Sequence, residues 1–570
     1  MSAAATLAGA APDLVPGWHS IPWRKVWRNV RRLQARIVKA VQEGRWGKVR
    51  ALVYLLTHSF SGRAAAILRV TTNPGASTPG VDGDCWDTPE LKAAAFSRLR
   101  RHGYHAQPLR RVYIPKSSAP SQLRPLGIPT MTDRAMQALY LLGLDPIVET
   151  TADASSYGFR SRRCCADALD HCHKILRKNH SATWILEGDI RACFDRIGHG
   201  WLLTHIPMDQ VILRQWLHAG YLEKDVFFAT TEGTPQGGIA SPALANAALD
   251  GLEALLRERF GATRSQRTRN KVHLVRYADD FIITGTSKGL LRNEVQPLVA
   301  HFLSERGLEL SHEKTSITQI DDGFDFLGQN VRRYGTKLLL KPSRKSVRTF
   351  LAKIDQVIRQ EGGHLTAGEL IERLNPKIRG WALYHRHASS KRTFAYVDNV
   401  IVRKLWRWAR RRHRQKSAAW VKAKYFSRPG DGRWAFSGNV TDEEGGKHTV
   451  LLFRAFSLEI RRHRKVRGEA NPYDPAWELY FEERLTAQLA STLTGRGRVR
   501  YLWLEQRGRC PVCDQPLTLE AGWQIHHLLW RTHGGDDDVD NLVLLHPNCH
   551  RQVHSEGLAV NKAASREGRW

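Results

Sequence analysis

Apolar residues recur along this chain with two different periods, and the switch between them marks its elements. In "VWRNVRRLQARIVKAVQEG" (26–44) they fall three and four apart with Arg and Lys behind them, which predicts an amphipathic helix. The same period, with denser positive charge, returns in "DNVIVRKLWRWARRRHRQK" (398–416). Between these regions "HLVRYADDFIITG" (273–285) reads as strand, turn and strand: Leu274 and Val275 lead in, and Phe281, Ile282 and Ile283 lead out. "WILEGDIRACFDRI" (184–197) is an apolar strand ending at Asp189, followed by a turn into a helix. Such patterning predicts a helical extension over 1–85, mixed strands and helices over 86–335, and basic helices over 336–430. A Gly-rich, then charged, connecting segment follows over 431–497, and a compact Cys/His-rich domain over 498–570. A chain of 570 residues exceeds what one hydrophobic core spans, so the expectation is an α+β protein of several domains.

The formal net charge of +32 changes that picture by naming a partner. Lys and Arg in such excess gain by displacing counterions from phosphates, so a polyanion is expected. The 18 Trp strengthen the case, because aromatic faces beside guanidinium groups suit unstacked bases. No stretch approaches the roughly 18 apolar residues of a membrane span, so no membrane partner is expected. "MSAAATLAGAAPDL" lacks the positive n-region of a signal peptide, which points to a cytoplasmic protein. Among the 8 Cys, Cys85, Cys164, Cys165, Cys172 and Cys193 show no disulfide framework and read as reduced thiols.

Two carboxylates, Asp279 and Asp280, sit at the tip of the apolar hairpin. Adjacent ionised carboxylates repel each other, and an apolar sheet beneath them raises the cost. A divalent cation removes it. Mg²⁺ takes carboxylate oxygens and keeps positions open for substrate phosphates. A two-metal site needs a further carboxylate from elsewhere in the fold, and the strand ending at Asp189 offers one. The alternative for the pair alone is a surface turn, where Asp is also common.

Around these carboxylates the chain resembles the reverse transcriptases. "RYADDF" (276–281) resembles their signature, and "GDIRACFDRI" (188–197) resembles the strand that carries their first metal ligand. "EGTPQGGIASPALANAALDGLE" (232–253) resembles their nucleotide-contacting segment. "TPGVDG" (78–83), "RPLGIPTMTDR" (124–134), "SYGFR" (156–160), "GLELSHEKT" (307–315) and "FDFLG" (324–328) fall in the family's order. The resemblance implies a right-hand polymerase with fingers and palm over 86–335. Asp189, Asp279 and Asp280 would hold the catalytic Mg²⁺ ions. Phe194 would lie under the incoming sugar and exclude a 2′-hydroxyl; its alternative is a core ring. Gln236, in "PQGG", would lie beside the deoxynucleoside triphosphate. Lys116 and Arg124 flank the turn "PKSSAPSQLR" (115–124) and would grip the triphosphate; their alternative is a solvated basic loop. Lys314 would protonate the leaving pyrophosphate. Asp195 is expected to be structural.

The flanks narrow the family. "LNPKIRGWALYHRHASSKRTFAYVDNVIVRKLWRWARRRH" (374–413) interleaves Lys, Arg and Trp with few acids, which suits exposed bases and phosphates. It resembles the thumb, or maturase, region of group II intron-encoded proteins. Arg407, Arg410, Arg411, Trp381 and Trp406 are its expected RNA contacts, against the alternative of a solvated basic face. "RRHRKVRGEANPYDPAWELYFEERL" (461–485) resembles the DNA-binding link that follows in the same proteins.

At the C-terminal end "CPVC" (510–513) and "HPNC" (546–549) each place two soft ligands three positions apart. Two such pairs predict a tetrahedral Zn²⁺ site of Cys510, Cys513, His546 and Cys549. "QIHHLLWRTHGGDDDVDNLVLLHPNCHRQVH" (524–554) interleaves a second set and resembles an HNH nuclease, a ββα-metal fold. The resemblance implies that His526, His550 and His554 bind a hydrolytic divalent metal, with His527 as general base on water and Asn541 bracing the motif. The alternative is a zinc-stabilised DNA-binding module without cleavage. "GGDDDVD" (534–540) is acidic in a basic chain, and reads equally as a loop or as a selector of DNA.

The expectation is therefore a multifunctional group II intron-encoded protein of the bacterial cytoplasm or nucleoid. It would bind intron RNA and assist its splicing, nick target double-stranded DNA, and copy the RNA from the nicked end. A maturase confined to splicing, with both enzymes silent, is the alternative from another class. A defence or diversity-generating reverse transcriptase would need neither maturase surface nor HNH domain.

Overall fold

The computed structural model describes residues 17–561 apart from 117–118, 428–433, 442–445, 482, 485–486, 488–496 and 530–537. Its N-terminal part is a helical layer of Trp23–Gln42, Trp46–His58 and Phe60–Thr72. The first of these buries Trp23, Val26, Val30, Ile37 and Val41 at helical spacing. All three helices pack against Met131–Thr151, a long helix that follows the strands Leu109–Lys116 and Ala119–Ile128 of the region expected to form the fingers. Among the described residues no single helix is long and apolar enough to cross a membrane.

The central sheet is antiparallel throughout, in the order Leu274–Tyr277, Asp280–Gly285, Trp184–Asp189, Ser316–Gln319. One face is covered by the helix Cys165–Leu176, whose Ala168, Leu169, Cys172 and Leu176 share a core with Ile185, Val275 and Ile282. The other face supplies Leu186, Phe281 and Ile283 to the core shared with the N-terminal helices. A ribbon of Phe324–Phe326, Gln329–Tyr334 and Lys337–Pro342 leads to the helices Arg344–Gln356, Ala367–His385, Lys391–Arg412 and Ala418–Tyr425, which occupy the region expected to be the thumb.

The segment expected to connect over 431–497 divides between two bodies. Strands Ala435–Thr441 and Lys447–Leu451 form a hairpin against the helix Ala367–His385, and Phe436, Leu452 and Ala455 join the thumb core. Two glycines allow that approach: a Cβ on Gly368 would sit 2.2 Å from the Asn439 carbonyl oxygen, and one on Gly438 2.3 Å from the Gly368 nitrogen. The break expected at 430 therefore falls inside the thumb, because glycine here serves close packing rather than a linker. From His463 onward the chain straps onto the palm. His463 Nε2 lies 2.9 Å from Asp167 Oδ1, the Val466 amide donates to the same oxygen at 2.7 Å, and Asn471 Nδ2 donates to Thr150 Oγ1 at 2.9 Å.

The C-terminal domain is a ββα unit: strands Gln524–His527 and Leu542–Leu545 pair antiparallel ahead of the helix Pro547–Glu556. It docks on the N-terminal segment, where Trp18 Nε1 donates to Asn548 Oδ1 at 3.2 Å and Gln552 Nε2 to the Ile21 carbonyl at 3.0 Å.

The junction of ribbon and thumb carries a pH prediction. His385 is buried, with Nδ1 2.7 Å from Gln329 Nε2 and Nε2 3.2 Å from Ser346 Oγ. Burial pushes its pKa down to about 3. A base depressed when folded stays neutral in the native state, so its contribution is complete above the unfolded value of about 6.5 and is lost as pH falls toward the folded one. From pH 7 to pH 5 the loss is about 2 kcal/mol by the same linkage. His385→Gln, which cannot titrate, is expected to flatten that part of the stability profile. Chemical denaturation at both pH values checks it.

Candidate active site

Asp189 ends the central strand Trp184–Asp189 and lies directly across from Asp280, the first residue of its neighbour. Tyr277 pairs with Asp280, so the turn between the strands consists of Ala278 and Asp279, with Ala278 at φ 58°. That left-handed conformation is costly for a residue with a Cβ and concentrates at functional turns. Asp189, Asp279 and Asp280 thus meet at one end of the sheet.

The surroundings hold this end rigid. Gly188 pairs with Phe281, and a Cβ there would sit 2.2 Å from the Phe281 ring. Gly158 of "SYGFR" seats on the turn, where a Cβ would meet the Ala278 nitrogen at 2.3 Å. Arg276, fully buried, pairs with Asp250 and donates to Asn246 Oδ1 at 3.2 Å, and Asn246 Nδ2 donates to the Gly158 carbonyl at 2.8 Å. Three separate motifs are tied together beneath the carboxylates.

Their electrostatics are those of an anion cluster. Burial, then Asp279 and Asp189, pushes the Asp280 carboxyl up to about 6. Burial, and secondarily Asp189, raises Asp279 as well. Lys314 partly compensates: its Nζ lies 3.0 Å from both Asp189 oxygens. The resemblance implies a place for Lys314 on the leaving group; here it is a counter-ion to a carboxylate. Three converging carboxylates with raised pKa values among them fit divalent cations, which remove the repulsion by direct ligation.

Beside the carboxylates, Phe194 is half-buried and meets Phe159 edge-on, with ring centres 5.9 Å apart. Gln236 Nε2 donates to Asp195 Oδ2 at 3.0 Å, which gives Asp195 a partner away from the carboxylate cluster. Gly233 lies against the Asp195 backbone, where a Cβ would come within 2.6 Å. Arg124 is exposed, and its charge acts on both Asp279 and Asp195. The Lys116 side chain lies outside the described residues.

Two neighbours escape sequence reasoning. Phe159 follows Gly158 in "SYGFR", and that adjacency is the available signal. Arg111 lies on the strand next to Arg124, stacks 3.8 Å over the Tyr221 ring and acts on Asp195 together with Arg124. One Arg in a basic strand carries no such signal.

On the thumb, Arg407 and Arg411 are exposed. Arg410 turns back to donate to the Lys416 carbonyl at 2.8 Å. Trp381 stacks on Phe350 at 4.6 Å, and Trp406 packs against Phe426 at 5.8 Å. Both indoles thus pack against the thumb core rather than standing free as base platforms.

In the C-terminal domain the ligand atoms of Cys510, Cys513, His546 and Cys549 all lie within 4.8 Å of one another. His546 Nδ1 is 3.3 Å from Cys513 Sγ, and its Nε2 faces the Pro516 carbonyl at 3.2 Å, which aims Nδ1 into the cluster. Hydrogen bonds from Cys513 and then Cys549 push the Cys510 thiol down, while the same contacts with Cys510 hold the other two up. Three sulfurs and an imidazole converging this closely fit a soft tetrahedral cation, which would be ligated by the thiolate forms.

His526, His550 and His554 form a second cluster with ligand atoms within 4.8 Å. His550 and His554 are one helical turn apart, with ring centres 4.5 Å apart, and the buried His526 meets them at 5.3 and 5.1 Å. Burial, then the other two imidazoles, pushes His526 down to about 4, which favours the neutral form that ligates metal. His527 follows in the same strand, paired across from Leu542. Asn541 accepts from the Leu529 amide at 2.7 Å and donates to its carbonyl at 3.0 Å, pinning the loop beyond. Of "GGDDDVD", residues 534–537 lie outside the described residues.

Comparison with known proteins matches four stretches of the chain to families. Residues 18–99 match the N-terminal domain of reverse transcriptase, and 114–331 match reverse transcriptase (RNA-dependent DNA polymerase). Residues 347–426 match the group II intron maturase-specific domain, and 510–556 match HNH endonuclease. Protein YkfC of Escherichia coli is 32% identical over 52% of this chain and 88% of its own length. The group II intron-encoded protein LtrA of Lactococcus lactis is 31% identical over 50% of this chain and 57% of its own. A 91 kDa protein in the cob intron of Schizosaccharomyces pombe is 27% identical over 58% of this chain and 50% of its own. With reverse transcriptase, maturase and HNH domains in this order, the chain belongs to the group II intron-encoded proteins.

Proposed function

We propose that this protein binds its intron RNA and assists splicing, nicks target DNA with its HNH domain, and extends the nicked strand by copying the intron RNA. The observation that carries the polymerase reading is the meeting of Asp189, Asp279 and Asp280 at one end of the palm sheet. Mg²⁺ held there would activate the primer 3′-oxygen and stabilise the leaving pyrophosphate. Asp189 and Asp280 are direct cross-strand neighbours and would offer ligand oxygens side by side, with Asp279 in the turn offering the third. Lys314 balances Asp189 until substrate arrives. Arg124 acts on this site from the fingers strand, where a guanidinium suits triphosphate oxygens. Zn²⁺ would fill the Cys510, Cys513, His546 and Cys549 cluster as a structural ion. His526, His550 and His554 would hold a divalent metal, with His527 taking the proton from water. Purified protein with Mg²⁺, an RNA template and a DNA primer tests the reading directly: extension is expected with deoxynucleotides, and its absence under conditions that keep the chain folded would overturn it.

Phe194 in this reading limits the space beside the sugar. Phe194→Ala is expected to raise ribonucleotide incorporation relative to deoxynucleotide on the order of tenfold or more. Competing the two nucleotide pools in one extension reaction measures the ratio, and an unchanged ratio reduces Phe194 to packing.

Intron RNA in this reading lies along the exposed edge of the Lys391–Arg412 helix. Arg407→Gln with Arg411→Gln is expected to weaken RNA binding and lower its log–log salt slope by about 0.7 for each phosphate no longer neutralised. Arg410→Gln is expected to act through the helix end, because its guanidinium closes on Lys416. Binding measured across a salt series separates the two effects.

A further inference from the structure

His199 opens the helix His199–His205, shortly after Phe194, and is buried. Its Nε2 lies 2.9 Å from the Gly233 carbonyl oxygen, so the ring N–H donates there. Burial lowers the pKa of this imidazole, which leaves a neutral ring with that one N–H. Nδ1 is then an acceptor; it is shut off from solvent and makes no hydrogen bond. A buried acceptor left this way costs roughly 1–3 kcal/mol, which an apolar side chain would avoid. The bond from Nε2 to Gly233 is what sets an imidazole apart at this position.

That bond holds one edge of a rigid plate. The Gly233 carbonyl and the Thr234 amide belong to the same peptide group, which is planar and trans, so they point in opposite directions. The Thr234 amide donates to the Phe194 carbonyl at 2.6 Å. His199 and the Phe194 backbone thus grip opposite edges of one plane. On the preceding peptide the Gly233 amide donates to the Ile197 carbonyl at 2.8 Å, and Gly198 pairs with Glu232 through a single antiparallel bridge. Gly233 stands at φ 83°, a conformation open to glycine and strained for other residues. Beyond the plate, Gln236 donates to Asp195 from its side chain at 3.0 Å, and its carbonyl accepts from the Gly127 amide at 2.8 Å. Segment 232–238 is therefore laced to the Phe194 turn along one side and to the strand Ala119–Ile128 along the other.

We infer that His199 is a positioning residue for sugar selection: through the Gly233–Thr234 peptide it fixes the backbone of Phe194, and so sets how closely that ring approaches the incoming nucleotide. The inference rests on the reading of Phe194 as the group that excludes a 2′-hydroxyl. His199 acts through the peptide plane and not on the nucleotide itself. Without the Nε2 donor the buried Gly233 carbonyl is left unpaired. Rotating the peptide toward another donor withdraws the Thr234 amide from Phe194, because the plane moves as one body. Loss of the donor therefore loosens sugar selection before it slows the chemistry, since Asp189, Asp279 and Asp280 are held by a separate network around Arg276.

Methionine and glutamine are close in length and shape, and glutamine alone carries a donor near its end, so His199→Met and His199→Gln separate packing from hydrogen bonding. The full chain, both variants, Phe194→Ala and the Phe194→Ala/His199→Met double variant are compared in primer extension with Mg²⁺, with melting temperatures taken on the same preparations. His199→Met is expected to raise ribonucleotide relative to deoxynucleotide incorporation several-fold and to raise KM for deoxynucleotide, with kcat at saturation largely kept. His199→Gln is expected to return both toward wild type. In the Phe194→Ala background His199→Met is expected to leave the sugar ratio where Phe194→Ala alone puts it, because the effect runs through that ring. If His199→Met does not fold, His199→Asn, whose amide is too short to reach Gly233, takes its place. A folded variant without the donor that keeps the wild-type ratio and KM overturns the inference. So does an equal fall of kcat in both His199 variants with the ratio kept, or a full further rise of the ratio in the double variant. An unchanged ratio in Phe194→Ala overturns the gate and this inference with it, whereas a raised ratio there with no effect of His199→Met overturns the inference alone. Absence of extension by the wild-type chain overturns the polymerase reading on which both stand.

Discussion

Asp279→Ala is expected to abolish primer extension, by roughly a thousandfold or more, while leaving the protein folded. The size follows from what the ions supply: several kcal/mol of transition-state stabilisation, at about 1.4 kcal/mol per tenfold in rate. Asp279 lies in the two-residue turn and has no strand pairing to lose, and its neighbours Ala278 and Phe281 are fixed by Gly158 and Gly188. Alanine therefore removes a ligand without moving the sheet. The variant also relieves repulsion, since Asp279 is the first charge acting on the raised Asp280. In chelator it is expected to be as stable as the wild type or slightly more so. In Mg²⁺ the wild type gains stability that the variant lacks, because a ligand bound only to the native state shifts the unfolding equilibrium. Extension rate and melting temperature, each with and without Mg²⁺, give four values. Undiminished extension by a folded Asp279→Ala protein would remove the two-metal assignment.

Much of the polymerase end is legible because its chemistry is local in sequence. Asp279 and Asp280 are adjacent, and Asp189 closes a strand with a largely apolar run. What joins them is less local. The Gln236–Asp195 bond spans 41 positions, and Arg111 reaches the site through sheet register rather than through any motif. The hairpin over 435–451 reads as a connection because glycine, in sequence, signals flexibility. In the fold Gly438 and Gly368 let a strand and a helix touch, a purpose visible only when both are in view. Trp381 and Trp406 show the converse error. An indole on a basic helix suits a base, but its direction depends on what packs beside it, and here Phe350 and Phe426 do. Spacing fails to assign such residues because a helix has several faces and sequence alone does not say which is covered.

His527→Ala and Cys513→Ala are expected to separate the two metal clusters of the HNH domain. The Cys510, Cys513, His546 and Cys549 cluster brings together the chain ahead of the β-hairpin and the start of the final helix, so it closes the domain from both ends. Cys513→Ala leaves that cluster one thiolate short. Zinc loss, protease sensitivity over 498–561 and loss of cleavage are expected together, because in a domain this small metal binding is part of folding free energy. His527 belongs to neither cluster. His527→Ala is expected to keep its zinc and its protease resistance while DNA nicking falls about 10²- to 10⁴-fold, the usual contribution of a general base. The docking contacts through Asn548 and Gln552 lie on the helix Pro547–Glu556, so that variant should also stay seated on the N-terminal segment. Primer extension is expected to persist in both, since the polymerase carboxylates are held by a different core network around Arg276. Zinc content, limited proteolysis and strand-specific nicking on the same preparations decide the matter. Normal nicking by His527→Ala removes its catalytic role. Loss of zinc by that variant means the histidines are divided wrongly between the clusters, and the base must then be sought among His526, His550 and His554.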